Sequence, residues 1–155
     1  MKIEKPKTED LETIRYILEQ WTEKEEVEKY LSRIKSEING QTEYSMNFWV
    51  IKDEVSAIGV GGLAEPLPII LPLAKSKNPG EIKILYIDNS HHGEGVGKQM
   101  IKFLEQEAKR IGHTELFIRS AERYKNTAYG FYKKMGYLES CKLENNMSVF
   151  YKMLK

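Results

Sequence analysis

The sequence predicts a mixed α/β domain, a largely antiparallel sheet with helices on both faces. Three observations carry that reading. Strand-like and helix-periodic segments follow one another in the order β-αα-β-β-β-α-β-α-β-β. The 155 residues suffice for one domain, 1–155, with its own core. Three glycines, Gly93, Gly95 and Gly97, crowd the point where a strand gives way to a helix.

Lys2 to Lys5 reads as a short first strand, ended by Pro6. In "TEDLETIRYILEQW", Leu11, Ile14, Leu18 and Trp21 recur at helical spacing, with acids in the first turn. A second helix follows in "TEKEEVEKYLSRIKSEING". Thr22 and Glu25 have capping-box spacing, Val27, Tyr30, Leu31, Ile34 and Ile38 form the apolar stripe, and Gly40 is a C-terminal stop. "NFWVIKDEVSAIGVGGL" predicts a hairpin: Phe48 to Ile51, a turn at Lys52 to Glu54, then Val55 to Leu63. Residues 65–80 contain four prolines, which argues for an apolar loop and against a long helix or a central strand.

Glu81 to Asp88, "EIKILYID", is a strand rich in Ile, Leu and Tyr. Beyond the glycines, Ile101, Leu104, Ala108 and Ile111 make a helical stripe that Gly112 ends. "TELFIRS" is the next strand. Asn126 is then expected to cap a short helix with Ala128, Phe131, Tyr132 and Met135 on one face and Gly136 as its stop. "YLESCKLE" and "SVFYKML" are the closing strands.

Composition excludes several classes. The chain is 41% hydrophobic and 30% charged with net charge +1, which gives no reason to expect a nucleic-acid partner. No apolar run approaches the ~20 residues of a membrane span, and "MKIEKPKTED" lacks the apolar core of a signal peptide. The lone cysteine, Cys141, forms no internal disulfide and is expected to be a buried structural thiol. A reducing cytoplasm is the simplest compartment. His91-His92 has no further His or Cys at ligand spacing, so no metal site is expected.

The strand–glycine–helix arrangement suits a phosphate, because a helix N-terminus presents free N–H groups and a positive dipole end. A dinucleotide fingerprint, G-x-G-x-x-G, requires glycine at 98, which is Lys98. A P-loop requires four residues between its glycines and a hydroxyl after the lysine. Here three separate Gly93 from Gly97, and Gln99 follows Lys98. Both fail on spacing. A glycine-rich turn without a ligand is the plain alternative.

"HHGEGVGKQM" after "ILYID" resembles the acetyl-CoA loop of the GNAT N-acetyltransferase superfamily, Gln/Arg-x-x-Gly-x-Gly/Ala, here His92-Gly93-Glu94-Gly95-Val96-Gly97. "NTAYGFYKKMGY" resembles the family's second marker, N-x-x-A-x-x-x-Y-x-x-x-G-[FY]: Tyr132, Gly136 and Tyr137 fit, while Asn126 stands one residue too close to Ala128. The likeness covers roughly residues 81–137, and the element order and the opening "EDLETI" agree with it. His92 departs from the usual Gln or Arg. That position acts mainly through its backbone, so cofactor binding is expected to survive, but a positive charge beside the pyrophosphate requires His92 to be protonated.

The resemblance implies a single GNAT-like domain that transfers acetyl from acetyl-CoA, as co-substrate, to an amine. It implies that N–H groups around Gly93, Glu94, Gly95, Val96, Gly97 and Lys98 hold the pyrophosphate. It implies that main chain at Leu85-Tyr86-Ile87 pairs with the pantetheine arm, with the Ile87 N–H as oxyanion donor. The side chains of Leu85 and Ile87 read as core. Tyr132 matches the family's tyrosine that protonates the departing thiolate; its alternative is packing against the sheet. Glu81 lies where several members place a carboxylate base, but Lys83 shares its face of the strand and offers a salt bridge instead. Asn126 is expected to bind cofactor or water as well as to cap. Lys98, Lys102, Lys133 and Lys134 are phosphate partners or plain surface.

Residues 1–46 hold eight Lys+Arg against eleven Asp+Glu, a net charge of −3, and the remainder carries +4. N-terminal helices often wall the acceptor side in this family, so the split suits a small cationic amine such as a polyamine, with exposed helix faces as the alternative. A homodimer is left open. The competing function is a non-catalytic acyl-CoA-binding sensor or interaction module of the same fold.

Overall fold

The computed structural model describes residues 1–155. Its strands are β1 (Lys2–Glu4), β2 (Asn47–Lys52), β3 (Ala57–Ala64), β4 (Pro79–Ile87), β5 (Glu115–Ser120), β6 (Leu138–Lys142) and β7 (Ser148–Met153). Its helices are α1 (Leu11–Trp21), α2 (Lys24–Ile38), α3 (Val96–Ile111) and α4 (Tyr129–Lys134). The seven strands hydrogen-bond in the order β1-β2-β3-β4-β5-β7-β6. Pairs β1–β2, β2–β3, β5–β7 and β6–β7 are antiparallel. β4–β5 is parallel, as a strand–helix–strand connection through α3 requires. The predicted α/β class and element order hold. No helix is long and apolar enough to cross a membrane.

Contacts divide the chain into two compact units, Met1–Ala64 with Ile84–Leu104, and Glu65–Lys83 with Glu105–Lys155. In the first, helical periodicity gives α1 and α2 one apolar face each. Ile14, Ile17 and Leu18 of α1 and Val27, Leu31 and Ile34 of α2 pack with Phe48 and Val50 of β2. Each buried Ile or Leu side chain contributes about 1.5–3 kcal/mol. The opposite face of β2–β3 meets α3, where Trp49 and Phe103 form an edge-on ring pair. Gly61 makes that approach possible: a Cβ there would lie 3.0 Å from Leu104 Cδ1 and 3.2 Å from Met100.

In the second unit, strand alternation gives β7 two apolar faces. Phe150 meets the rings of Tyr129 and Tyr132 from α4, at 5.0 and 5.5 Å between centroids. Val149, with Phe117, packs against Ile70. Ile70 belongs to the proline-rich segment, which therefore covers this face. Two buried carboxylates fasten the segment through its main chain. Glu81 accepts from the Leu67 N–H at 3.3 Å, and Glu115 accepts from the N–H groups of Lys75 and Ser76 at 2.9 and 3.1 Å.

Several local expectations are corrected. α2 starts after Glu23, whose side chain makes no cap hydrogen bond, so Thr22 stands one residue before the N-cap rather than at it. Asn126 caps nothing and is exposed, because α4 begins only at Tyr129 with Ala128 at its N-cap. Pro79 lies in a central strand. It opens β4 opposite Glu115, and a strand's first residue is a place where proline is tolerated. Ile111 is 44% exposed rather than core, one residue before the helix stop. Ile17, Met100 and Tyr129 are buried although the apolar stripes omitted them. Cys141 is a free, half-buried thiol. The stops at Gly40, Gly112 and Gly136 are real, with φ of 81°, 112° and 94°.

Candidate functional site

The first unit carries β4's exit, the glycine loop and the start of α3 as one continuous stretch. The parallel pairing of β4 with β5 matches Pro79–Ile82 to Glu115–Ile118, and β4 runs on to Ile87. The Asp88 N–H donates to the Ile58 carbonyl of β3 at 2.8 Å. Main-chain direction alternates along a strand, so the Ile87 N–H points away from β3. Ile84 and Tyr86 pack with the α1–α2 cluster, and Ile87 is buried. The side chain of Leu85 is half-buried.

After Ile87 a single turn, Asn89–His91, is capped by the Asp88 carboxylate, which accepts from the Ser90 N–H at 3.1 Å. The chain then passes through Gly93 and Gly95, both left-handed, with φ of 84° and 78°. Nothing lies within 4 Å of where a Cβ would stand at either position. The first backbone bond of α3 runs from the Gln99 N–H to the Gly95 carbonyl at 3.1 Å. The N–H groups of Val96, Gly97 and Lys98 therefore point out of the first turn, in the manner of any helix start. Val96 anchors this turn with 1% exposure, while Lys98 is exposed. The arrangement offers converging N–H donors and a positive helix end to an anion. Gly97 is not left-handed.

The two histidines divide their tasks. His91 Nδ1 meets Glu94 Oε1 at 3.0 Å, and its Nε2 lies 3.9 Å from Asp53 Oδ2. The hydrogen bond to Glu94, with the charges of Glu94, Asp53 and Asp88, raises the His91 pKa. His92 stacks on Trp21, with ring centroids 5.1 Å apart and planes 15° from parallel. Neither is part of a His, Cys, Asp and Glu group able to hold a metal ion.

The second unit holds Tyr132, Glu81 and Asn126. Tyr132 is 7% exposed, and its ring lies between those of Phe131, Tyr137 and Phe150. The neighbouring tyrosines are tied by their hydroxyls: Tyr129 donates to the Ser120 carbonyl at 2.9 Å and Tyr137 to Glu105 at 2.9 Å. Tyr132 is held by its ring. Burial, with the nearby Tyr124 and Tyr129, pushes its phenol above the ordinary value. Its hydroxyl therefore stays protonated across the physiological range.

Glu81 is 1% exposed, with both carboxylate oxygens engaged. Lys83 Nζ lies 3.1 Å from Oε1, which also takes the Leu67 N–H, and Arg119 Nε donates to Oε2 at 2.8 Å. This is the salt bridge that Lys83 suggested, enlarged by a cation from β5. Lys102, Lys133 and Lys134 are exposed, and Lys133 lies 3.7 Å from Glu139.

Sequence reasoning missed Trp21 as anything but stripe, and missed Gln20, Asp88 and Arg119 altogether. For Trp21 a signal was present: an aromatic residue with an N–H, on the last turn of a helix, buries its ring and still seeks an acceptor.

Comparison with known proteins adds five likenesses. The profile of the Acetyltransferase (GNAT) family matches residues 10–137. N-acetyltransferase 8B of Homo sapiens is 28% identical over 90 residues, which span 58% of this chain and 37% of that protein. The PaiA N-acetyltransferase of Thermoplasma acidophilum, solved in complex with coenzyme A, superposes with a TM-score of 0.70 at 18% identity, covering 98% of both chains. Ard1 of Thermoplasma volcanium gives 0.77 at 16% identity over 99% and 97% of the two chains. An aminoglycoside 6'-N-acetyltransferase complexed with coenzyme A gives 0.72 at 16% over 100% and 98%.

Proposed function

The chain belongs to the Acetyltransferase (GNAT) family, and from that premise we propose that residues 1–155 form one N-acetyltransferase domain that moves acetyl from acetyl-CoA to an amine. One observation carries the proposal: two left-handed glycines in open space, set between the end of β4 and the free N–H groups of α3. Two solved structures of the same fold are complexes with coenzyme A, which agrees with it.

In this reading the loop Gly93–Lys98 takes the pyrophosphate on backbone N–H groups, and main chain at Leu85–Ile87 takes the pantetheine arm. The Ile87 N–H faces the thioester oxygen and stabilises the charge that develops there. The amine nitrogen attacks the acetyl carbon, the C–S bond breaks, and the Tyr132 hydroxyl gives its proton to the departing sulfur. The nitrogen's second proton leaves as the tetrahedral species collapses and replaces the one that Tyr132 gave up. The ammonium, which has no lone pair, must lose its first proton to a base before attack. Glu81 is the carboxylate assigned to that task by its place on the strand. Its pairing with Lys83 and Arg119 supports the competing assignment, in which Glu81 holds structure and water takes the proton. Asn126 is exposed ahead of α4 and does not cap it, and this reading keeps for it a contact to cofactor or water.

For the acceptor we favour a small cationic amine such as a polyamine, since the first 46 residues carry −3 and the remainder +4. We place the protein in a reducing compartment, the cytoplasm, where the half-buried Cys141 stays a thiol.

Titration calorimetry with acetyl-CoA, coenzyme A, NAD and ATP tests the cofactor, and a panel of amines with detection of free thiol tests the reaction. Binding of acetyl-CoA and thiol release with cationic amines is the expected result. Binding of NAD or ATP in place of acetyl-CoA overturns the proposal. Acetyl-CoA binding with no release for any amine converts it to the sensor module.

A further inference from the structure

The last turn of α1 reaches the exit of β4 at two points. The Trp21 indole N–H donates to the Ile87 carbonyl at 2.8 Å. The Gln20 side-chain carbonyl accepts from the Asn89 N–H at 2.8 Å. The Ile87 carbonyl and the Asp88 N–H belong to one peptide plane. That plane is gripped at both ends, by Trp21 on its oxygen and by the Ile58 carbonyl on its N–H. The same indole stacks on His92, the residue that enters the glycine turn. One aromatic side chain therefore holds both the last peptide of β4 and the first ring of the loop.

We infer that Trp21, helped by Gln20, is a positioning residue for acetyl transfer: it fixes the 87–92 main chain so that the Ile87 N–H and the loop N–H groups keep one geometry. The inference rests on the cofactor reading above. Its physical basis is the contrast between the loop and its base. Gly93 and Gly95 have open space around them and contribute no side-chain packing, so the loop takes its placement from the residues that flank it, Val96 on the helix side and 87–92 on the strand side. A peptide held by two hydrogen bonds of 2.8 Å cannot rotate to follow solvent. Catalysis by an oriented N–H is sensitive to displacements of about 1 Å. An indole does what a phenylalanine cannot, since both rings stack on His92 but only indole donates to the carbonyl.

The variant Trp21→Phe keeps the ring and removes the donor. Expected is a fall of about tenfold in kcat, with acetyl-CoA affinity by calorimetry within about threefold of wild type. Faster hydrogen exchange at the Asp88 and Asn89 amides should accompany it. Gln20→Ala, at a half-buried position, should move the same amides and lower kcat less, and the two changes together should be non-additive. A purely structural Trp21 would lower Tm and leave kcat and those amides unmoved. Wild-type kcat, within about twofold, in both variants therefore overturns the inference while acetyl-CoA binding by the parent protein keeps the cofactor reading intact. A parent protein that binds no acetyl-CoA overturns both, and calorimetry on it distinguishes the two failures.

Discussion

Gly93 and Gly95 are both left-handed, at φ 84° and 78°, with Glu94 alone between them. Left-handed backbone costs a residue with a Cβ roughly 1–2 kcal/mol, and more when it is β-branched. Beyond them the N–H groups of Val96, Gly97 and Lys98 lie ahead of α3's first backbone bond and point out of its first turn. Gly95→Val should leave the fold intact, because nothing lies within 4 Å of its Cβ position. It should weaken acetyl-CoA binding by more than about tenfold, since the branched side chain would occupy the approach of a phosphate. Calorimetry decides, and an unchanged affinity removes the phosphate-loop reading.

The fold was largely legible because periodicity and punctuation agree. Val27, Tyr30, Leu31 and Ile34 are spaced as a helix and are buried as one, and Gly40, Gly112 and Gly136 end helices where a left-handed residue is needed. What stayed hidden depends on contacts distant in sequence. Nothing near Glu81 announces that Arg119, 38 residues on, shares its carboxylate. Nothing near Ile70 announces that a proline-rich segment will cover Phe117 and Val149. The glycine loop could be located from spacing alone, but the hold of Trp21 on Ile87 spans 66 residues and required the fold.

His91 links the loop to pH. Its pKa is raised, chiefly by the hydrogen bond to Glu94, with Asp53 and Asp88 adding their charges. A raised pKa in the folded state means stability that is complete below the unfolded value of about 6.5 and is lost as pH rises through the folded value. Tm of wild type should therefore exceed that of His91→Gln at pH 5.5–6, and the two should converge in mildly alkaline buffer. The difference should shrink in about 1 M salt, because the pair is near the surface. Parallel Tm–pH curves for the two proteins would show that the pair contributes nothing.

Glu81 offers a choice between two chemistries that one substitution resolves. Glu81→Gln removes the charge shared by Lys83, whose side chain is 3% exposed, and Arg119. Breaking a buried pair on one side costs about 3–5 kcal/mol, so a Tm decrease of roughly 6–20 °C is expected for a chain of this size. An ion-pair role leaves the pH profile of kcat/KM in its wild-type shape below the new Tm. A base role instead removes the ascending limb of that profile, and this outcome would return Glu81 to the chemistry.

Tyr132 sits in a cage of rings, with Tyr137 and Phe150 at centroid distances of 6.4 and 5.5 Å. Burial raises its pKa, so the hydroxyl is protonated at any pH at which the enzyme would work. The same shift makes it a weaker acid, and thiolate is a good leaving group, so its contribution should sit near the lower end of the usual 10²- to 10⁴-fold. Tyr132→Phe keeps the ring, and with it the contacts that hold α4 to β7. Tm and acetyl-CoA affinity should therefore change little while kcat falls about a hundredfold. If Tyr132 only fills the space beside Phe150, removing the hydroxyl leaves the rate where it was. The measurement is kcat at saturating amine and acetyl-CoA, for both proteins, across pH. A variant within about twofold of wild type, with the chemical step shown to limit the rate, would end the case for Tyr132 as the acid, because the packing that phenylalanine preserves would then account for everything the tyrosine does.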